Sequence, residues 1–375
     1  MIIICRLKEI NKIIQAYDAI DWAHEQVALA TVVRVEESAY RRIGARLLVS
    51  TSGFWTGGIS GGCLEGDALK RAQMAIARDE SSLVIYDTLQ DDAHQIGIGL
   101  GCNGRIDVLF TPIDPQNSSN PVELLKKIRN QRTPSVLYQI IGVNPENKRQ
   151  LGQLAMENQA EEFAASIGVD RETLLGWTKT CKASRKSDVR SILTNRQIMY
   201  DILIEFVRPR VKLVCIGDNY DVNAFVSIGH ELNWEVHVAG KSRKLSRYAF
   251  EFADNIHDYE SVRQLPLDDY SAVILMSHDY KIDLALLRHF INYPVPYLGL
   301  LGPKKRMIKM RDELLASSPP IDLEKNTNLR APVGLDIGAE SPEEIALSIA
   351  AEIIAVMRGR EGTFLKDRMG PIHDR

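Results

Sequence analysis

The second half of the chain alternates short apolar segments with segments of helical periodicity, and this rhythm restricts the fold more than any other feature. Predicted strands cover 211–216, 235–239, 272–276 and 295–301. Predicted helices cover 222–232, 282–291 and 304–315, and a last helix starts at the capping box Ser341-Pro342-Glu343-Glu344. Strands that alternate with helices form a parallel sheet through right-handed crossovers. The sequence therefore predicts a Rossmann-like domain.

A chain of 375 residues exceeds what one hydrophobic core usually serves, so we expect two domains. The first half mixes predicted helices over 7–25, 64–78 and part of 113–130 with predicted strands over 27–35, 47–50, 54–59, 83–89, 105–110, 136–142, 150–156 and 198–207. The sequence between 156 and 198 is poorly patterned. We predict an α/β protein with an N-terminal mixed α/β domain over 1–207 that carries glycine-rich cysteine loops. A Rossmann-like parallel-sheet domain over 208–360 and a tail over 361–375 follow.

The charge of the chain is nearly balanced. Lys and Arg number 46, Asp and Glu number 49, and the net charge is −3, which argues against nucleic acid or a membrane surface as a partner. No apolar stretch is long enough to cross a bilayer, and Arg6 and Lys8 interrupt the apolar start too early for a signal peptide. Five cysteines without a Cys-x-x-Cys pair favour reduced thiols over disulfides or structural zinc. We expect a cytoplasmic protein.

The turn after the first Rossmann strand departs from the fingerprint of a dinucleotide site. That fingerprint is Gly-x-Gly-x-x-Gly/Ala, with an acidic residue about 20 positions later for the ribose. Asn219 and Val222 stand in the second and third glycine positions, and no acidic residue occurs in 239–243. NAD is therefore not an expected cofactor. A Rossmann-fold NAD(P)-dependent oxidoreductase is kept as the alternative function.

The strongest candidate for a functional site is the glycine-rich segment Gly57-Gly58-Ile59-Ser60-Gly61-Gly62-Cys63-Leu64-Glu65. Glycines let backbone N–H groups approach a ligand, and a helix start favours the thiolate form of Cys63. Cys102 lies in a second glycine-rich loop over 97–104. Two such thiols can converge on a soft metal or a sulfur-transfer intermediate. Alternatively, each is a small buried apolar residue in a tight turn, and Glu65 merely compensates the helix dipole.

Two features of the second half are further candidates. Lys304, Lys305 and Arg306 open a helix directly after a strand, which suits a bound phosphate, although solvated surface cations would look the same. His278 follows a strand at the edge where open α/β sheets bind ligands, although a loop histidine with only structural partners is the commoner outcome.

Together these motifs resemble those of the XdhC/CoxI family, the xanthine dehydrogenase accessory proteins. The resemblance rests on the Cys63 loop over 57–67, the Cys102 loop over 99–107, Met276-Ser277-His278-Asp279, and the segments 298–306 and 332–340. It spans nearly the whole chain and is weakest over 113–205. The chain departs from the family at the turn around Asn219 and at 38–42, where relatives commonly have a Ser-Pro segment.

The resemblance implies a role in the maturation of molybdenum hydroxylases. Family members are thought to bind molybdenum cofactor, to help it acquire its terminal sulfur with a cysteine desulfurase, and to deliver it to the apoenzyme. For this chain it implies transiently bound molybdenum cofactor (molybdopterin), an apo molybdenum hydroxylase of the xanthine dehydrogenase type as client, and a cofactor-insertion chaperone more than a turnover enzyme. A pure scaffold between desulfurase and hydroxylase is a third hypothesis, and a homodimer is expected only from the base rates of oligomers.

The candidate site can then be stated residue by residue. Cys63 and Cys102 are the predicted metal ligands. The full predicted cofactor-binding set is Arg46, Gly61, Gly62, Cys63, Glu65, Gly101, Cys102, His278, Lys304, Lys305 and Arg306.

Overall fold

The computed structural model describes residues 2–37, 41–87 and 104–369, with side chains from residue 9 onward. Its contacts divide the chain into two units, Met1–Pro209 and Arg210–Arg375. Antiparallel sheets occur in the first unit and a parallel sheet in the second, so the α/β fold class and its Rossmann-like second half are confirmed. Within the described residues, no helix is both long enough and apolar enough to span a bilayer.

The first unit begins with a helix and a five-stranded antiparallel sheet. The elements are α1 (Ile2–Asp18), β1 (Val27–Glu37), β2 (Arg46–Ser50), β3 (Trp55–Gly57), α2 (Glu65–Arg78), β4 (Ser82–Asp87) and β5 (Gly104–Pro112). The strand order is β3-β2-β1-β5-β4. Alternate residues of β1 face opposite sides of the sheet, so Leu29 packs with α1 while Ala28 and Ala30 pack with α2. The loop between β3 and α2 thus joins the edge of the sheet to one of its covering helices.

A second antiparallel sheet completes this unit. Its elements are α3 (Pro121–Ile128), β6 (Ser135–Val143), β7 (Leu154–Met156), α4 (Ala160–Ile167), α5 (Arg171–Ser184), β8 (Asp188–Leu193) and β9 (Met199–Val207), and the strand order is β7-β6-β9-β8. The strand expected over 150–156 is present but shorter, as β7, and Gln150 is the last residue of the 3-10 helix Pro145–Gln150. The stretch without a clear pattern contains α4, α5 and β8.

The second unit is built on one parallel sheet. Its strands are β10 (Lys212–Ile216), β11 (Glu235–Ala239), β12 (Asn255–His257), β13 (Ser271–Leu275), β14 (Tyr297–Leu300) and β15 (Leu329–Arg330), in the order β12-β11-β10-β13-β14-β15. Its helices are α6 (Val222–Glu231), α7 (Arg247–Phe252), α8 (Tyr280–Phe290), α9 (Lys304–Leu315) and α10 (Pro342–Met357). The predicted strands and helices of this half are confirmed. The short elements α7, β12 and β15 had no signal in the sequence.

Candidate functional site

The cysteine loop leaves β3 at a position that favours glycine for two reasons. Gly57 has a φ of +96°, and a Cβ atom there would lie 2.3 Å from the carbonyl oxygen of Arg46 on the neighbouring strand. The amide of Gly58 donates to that same carbonyl oxygen at 2.8 Å. The glycines at the start of the loop therefore allow a tight turn off the edge of the sheet.

Ser60 and Glu65 hold the rest of the loop. Oε1 of Glu65 accepts hydrogen bonds from the amides of Ser60 at 2.9 Å and Ile59 at 3.3 Å, and Oε2 accepts one from the Ser60 hydroxyl. Oγ of Ser60 in turn accepts from the amides of Gly62 at 3.2 Å and Leu64 at 3.0 Å. The backbone is thus fixed on both sides of the intervening cysteine.

The ionised form of Glu65 is the one that the loop stabilises. Partial burial opposes ionisation, but hydrogen bonds from the Ser60 hydroxyl and from the amides of Ser60, Glu65 and Ile59 outweigh it and hold the pKa of this carboxyl below its ordinary value. Sequence reasoning proposes Glu65 as a cofactor-binding residue. In the structure its carboxylate binds donors of its own loop, so its contribution to the site is to shape it.

Cys63 is an exposed free cysteine. Gly61 and Gly62 beside it are exposed too, and a Cβ atom on Gly62 would meet only open space. α2 begins two residues later, so the thiol lies near the positive end of that helix dipole. By contrast, Cys181 and Cys215 are buried, and burial raises the pKa of Cys181 to about 11 and raises that of Cys215 as well. Of the cysteines whose side chains are described, Cys63 alone is exposed.

The second predicted thiol ligand is that of Cys102. Gly101 and Cys102 fall outside the described residues, as does most of their loop. Among the residues that the structure does describe, no group of three His, Cys, Asp or Glu side chains could hold a metal ion. Within this part of the chain, Cys63 therefore offers a single thiol ligand.

Two arginines that precede the loop are engaged within the first unit. Arg41 donates to the carbonyl oxygen of Gly58 from Nε at 3.1 Å and Nη2 at 2.9 Å, and it also pairs with Glu9. Arg46 is buried, and its Nη2 lies 2.7 Å from Oε2 of the buried Glu205. Because a buried charge needs a partner of opposite charge, this pair belongs to the core. Sequence reasoning proposes Arg46 as a cofactor-binding residue; in the structure its guanidinium is engaged with Glu205 in the core of the first unit.

In the second unit, the parallel sheet has a topological switch point between β10 and β13. The two strands are neighbours, and the chain continues from β10 into α6 and from β13 into α8. α8 and α9 pack on one face of the sheet, and right-handed crossovers place α6, which contacts α10, on the other. Open α/β sheets bind ligands in the crevice at such a point.

Side chains of the protein fill positions that a dinucleotide uses in this crevice. Asn219, in the second glycine position, donates from Nδ2 to the carbonyl oxygen of Ser277 at 3.2 Å and so links the ends of β10 and β13. Asp218 is buried and accepts from the amide of Lys241 at 3.1 Å, just after β11, where the ribose-binding acid would lie. The residues that replace the fingerprint therefore make contacts within the fold.

A cavity of about 610 Å³ lies at the same end of the sheet. This volume falls within the range of small-molecule sites. The walls are mostly apolar, and the titratable groups are two carboxylates, one imidazole and the phenol of Tyr220. The lining residues are Asn219, Tyr220, Asp221, Phe225, His278, Leu301, Gly302, Pro332, Val333, Glu340, Pro342 and Ile345.

His278 is presented to this cavity by a buried network. Its φ of +59° is uncommon for a residue other than glycine, and its Nε2 lies 2.7 Å from Oδ2 of Asp221. Behind it, the amide and hydroxyl of Ser277 donate to Oδ1 of buried Asp283 at 3.2 and 2.5 Å. Burial raises the pKa of Asp283 although the bonds from Ser277 and the charge of Arg306 act in the opposite direction. The predicted site residue His278 therefore has a defined position at the end of β13.

The three cations at the start of α9 differ in their contacts. Lys304 and Lys305 are exposed in the first turn of the helix, which contains no acidic residue. Arg306 instead places Nη2 at 2.5 Å from Oδ2 of Asp283. The two lysines are therefore free to meet a phosphate, whereas Arg306 is part of the network behind His278.

The fold and the loop define a class of protein, namely one with a cysteine-loop α/β unit followed by a Rossmann-like unit. Family profiles agree with this class. A profile described as the XdhC Rossmann domain matches residues 213–353, and one described as the XdhC and CoxI family matches residues 22–87, which include the Cys63 loop. The chain belongs to the XdhC and CoxI family.

Named relatives cover most of the chain. It is 26% identical over 342 residues to a probable xanthine dehydrogenase subunit from Bacillus subtilis (strain 168), and the match spans 90% of this chain and 95% of the relative. It is 24% identical over 337 residues to the molybdenum cofactor insertion chaperone PaoD of Escherichia coli (strain K12), with 89% and 84% covered. A crystal structure described as a xanthine dehydrogenase from Bacillus halodurans has the same fold, with a TM-score of 0.69, 24% identity, and 94% and 97% covered.

Sequence reasoning missed the residues that shape both candidate sites. Sequence reasoning treats Ser60 only as part of a glycine-rich motif, because Ser60 lies five residues before Glu65 and not three as in a capping box. The pairing of His278 with Asp221 joins residues 57 positions apart. No local pattern predicts such a contact.

Proposed function

We propose that this protein binds molybdenum cofactor, protects it and delivers it to a molybdenum hydroxylase of the xanthine dehydrogenase type. The observation that carries the proposal is the exposed Cys63 thiol in a loop whose backbone is fixed on both sides by Ser60. The Bacillus subtilis relative is named as a probable xanthine dehydrogenase subunit, and the Escherichia coli relative as a molybdenum cofactor insertion chaperone.

In this proposal the cofactor is cargo. Thiolate sulfur is a soft ligand, and a metal that arrives with ligands of its own needs only one from the protein. Cys63 supplies that ligand, and the exposed glycines Gly61 and Gly62 let the cargo approach the backbone closely. A single protein ligand on an exposed loop also suits a complex that must release its cargo. Cys102 remains a predicted second metal ligand, and Gly101 a predicted cofactor-binding residue.

The remaining contacts and partners follow from the same proposal. Lys304 and Lys305 bind the phosphate of the cofactor, because exposed cations at a helix start attract anions. A cysteine desulfurase provides the terminal sulfur while the cofactor is bound, and the apo hydroxylase then receives the cofactor. We place these steps in the cytoplasm, since sparse and unpaired cysteines suit a reducing compartment. The homodimer remains a prediction from base rates.

The test is to purify the protein from a molybdenum-replete host and to assay pterin and molybdenum per chain. Wild type should carry both, and Cys63→Ser should lose most of both because the soft ligand is gone. The matched control is Cys181→Ser, which removes a buried thiol and keeps a donor for the carbonyl oxygen of Lys186, 3.1 Å from Sγ in the wild type. Equal cofactor content in all three proteins would contradict the proposal.

The other hypotheses predict different results in the same experiment. Bound NAD without pterin would indicate the Rossmann-fold oxidoreductase, which the names of the relatives do not favour. A Cys63→Ser variant that still matures the client hydroxylase would indicate a scaffold that holds desulfurase and hydroxylase together.

A further inference from the structure

The cavity at the switch point of the Rossmann-like unit is a binding site in its own right. We propose that it binds a planar heterocycle whose edge presents two adjacent N–H donors, the 2-amino-4-oxopyrimidine class to which pterins and guanine belong. The proposal rests on the proposed function for its pterin source, and it assigns a part of that cofactor to a part of this chain.

Two contacts of the protein occupy positions that a dinucleotide would use beside the cavity. Asn219 bonds to the carbonyl oxygen of Ser277 where a pyrophosphate would pass between β10 and β13. Asp218 bonds to the amide of Lys241 where a ribose would be held. What remains open is the part beyond Asn219, toward β14 and the start of α10.

The charges of the cavity select against phosphate. Its lining residues include the carboxylates of Asp221 and Glu340 and the imidazole of His278, and in the described part of the chain neither Lys nor Arg lines it. Two carboxylates repel an anion and attract N–H donors. The part of the ligand that lies inside the cavity is therefore uncharged or cationic.

Glu340 is the carboxylate that is free to bind. Its backbone is held, because its amide donates to Oε2 of Glu344 at 2.8 Å. Its side chain is exposed and makes no hydrogen bond or ion pair with the described residues. Asp221, by contrast, has one oxygen engaged, since Oδ2 pairs with His278 at 2.7 Å, while its buried Oδ1 has no hydrogen-bond partner among the described residues. Glu340 can thus accept two parallel N–H bonds, as carboxylates do from the fork of an arginine.

The geometry of two parallel acceptors distinguishes between heterocycles. A 2-amino-4-oxopyrimidine places a ring N–H next to an amino group, so both carboxylate oxygens receive a donor. Adenine places its amino group next to a ring nitrogen lone pair, which would face one carboxylate oxygen without a hydrogen between them. The arrangement at Glu340 therefore favours the guanine and pterin edge over adenine.

The walls and the backbone of the cavity support a planar ligand. Phe225 and Tyr220 are aromatic lining residues, and Tyr220 is 76% exposed, so its ring is available for stacking. His278 adopts its left-handed backbone conformation at the cavity, and strained residues of this kind cluster at ligand sites.

The experiment measures binding of three metal-free probes, namely pterin, guanosine and adenosine, to the full-length protein by titration calorimetry. We expect pterin or guanosine, or both, to bind at least about tenfold more tightly than adenosine. Glu340→Gln, whose amide nitrogen cannot accept, should weaken that binding about tenfold and leave adenosine unchanged. Glu343→Gln is the matched control, since Glu343 is an exposed glutamate three positions away that does not line the cavity.

The outcomes separate this proposal from the proposed function. Binding of pterin alone identifies the cofactor as the source, and binding of guanosine alone identifies a guanine nucleotide. Adenosine that binds as tightly as the others, absence of binding by all three probes, or equal effects of Glu340→Gln and Glu343→Gln would each overturn the proposal. A wild-type protein that carries no cofactor in the purification assay but binds the probes would count against the proposed function alone.

Discussion

Replacing Glu65 by glutamine should loosen the cysteine loop without unfolding the first unit. The glutamine oxygen can still accept from the amides of Ser60 and Ile59, as Oε1 does now at 2.9 and 3.3 Å. Its amino group, however, is a donor and faces the Ser60 hydroxyl, whose oxygen already accepts from Gly62 and Leu64. The hydrogen of the Ser60 hydroxyl therefore loses its acceptor. The new amino group also competes with the amides of Gly62 and Leu64 for Oγ of Ser60.

The size of the effect follows from the bond that is lost. A hydrogen bond to a charged group contributes about 1.5–3 kcal/mol, and partial exposure of this loop reduces the loss to about 1–2 kcal/mol. Such a loss shifts the equilibrium for local opening by about 5- to 30-fold. Amide hydrogen exchange at Ser60, Gly62 and Leu64 should accelerate by that factor. The control is Asp67→Asn, which removes a carboxylate from the same helical turn but from a different set of partners, Tyr86 and Arg71.

The pH dependence of this effect has a definite sign. Because the folded-state pKa of Glu65 lies below its ordinary value of 4.5, its stabilisation is complete above pH 4.5 and is lost as the pH falls through the lowered pKa. The difference between wild type and Glu65→Gln should therefore shrink in acid. Unchanged exchange at neutral pH, or the same acceleration in Asp67→Asn, would refute the reasoning that this carboxylate holds the loop.

Two further predictions concern the core. Arg46→Ala should lower the free energy of unfolding by about 3–5 kcal/mol in urea denaturation, because it removes the guanidinium that pairs with the buried Glu205 carboxylate. The double variant with Glu205→Leu should recover much of the loss, and failure to do so would contradict the ion-pair account. Burial, followed by the charge of His237, whose ring nitrogen lies 2.9 Å away, holds the pKa of His257 below its ordinary value of 6.5. The stability that this shift provides is complete above pH 6.5 and is lost as the pH falls through the lowered pKa, so wild type should lose stability from pH 7.5 to 5.5 more steeply than His257→Gln, and equal slopes would show that His257 contributes nothing.

The parallel half of the fold could be predicted because its strands are buried on both faces. β10 and β13 are buried along their whole lengths, so they appear as continuous apolar runs without any need for tertiary information. The start of α10 was equally readable, since Ser341 and Glu344 make both bonds of the capping box. Local chemistry decides the structure at these positions.

The missed elements lack such local signals. Most residues of β8 are exposed, and the strand lies at the edge of its sheet. α5 buries only Leu174, Thr178 and Cys181 and contains Gly176, so its apolar face is narrow. Both elements are stabilised by their contacts with the neighbouring strand β9, which a linear pattern does not reveal.

The glycine-rich sequence of the cysteine loop predicts a functional loop but not the hydrogen bonds that fix it. The exposure of Cys63, compared with that of the other described cysteines, bears on its function. A cysteine that only fills space is expected to be buried, as Cys181 and Cys215 are. Cys63 is exposed, yet its neighbouring amides are fixed by Ser60, and Arg41 holds the start of the loop. Ordering an exposed loop costs conformational entropy that its own burial does not offset, since the thiol removes almost no apolar surface from water. Hydrogen bonds that fix the backbone on both sides of an exposed thiol are expected if that thiol must meet a ligand in a defined geometry.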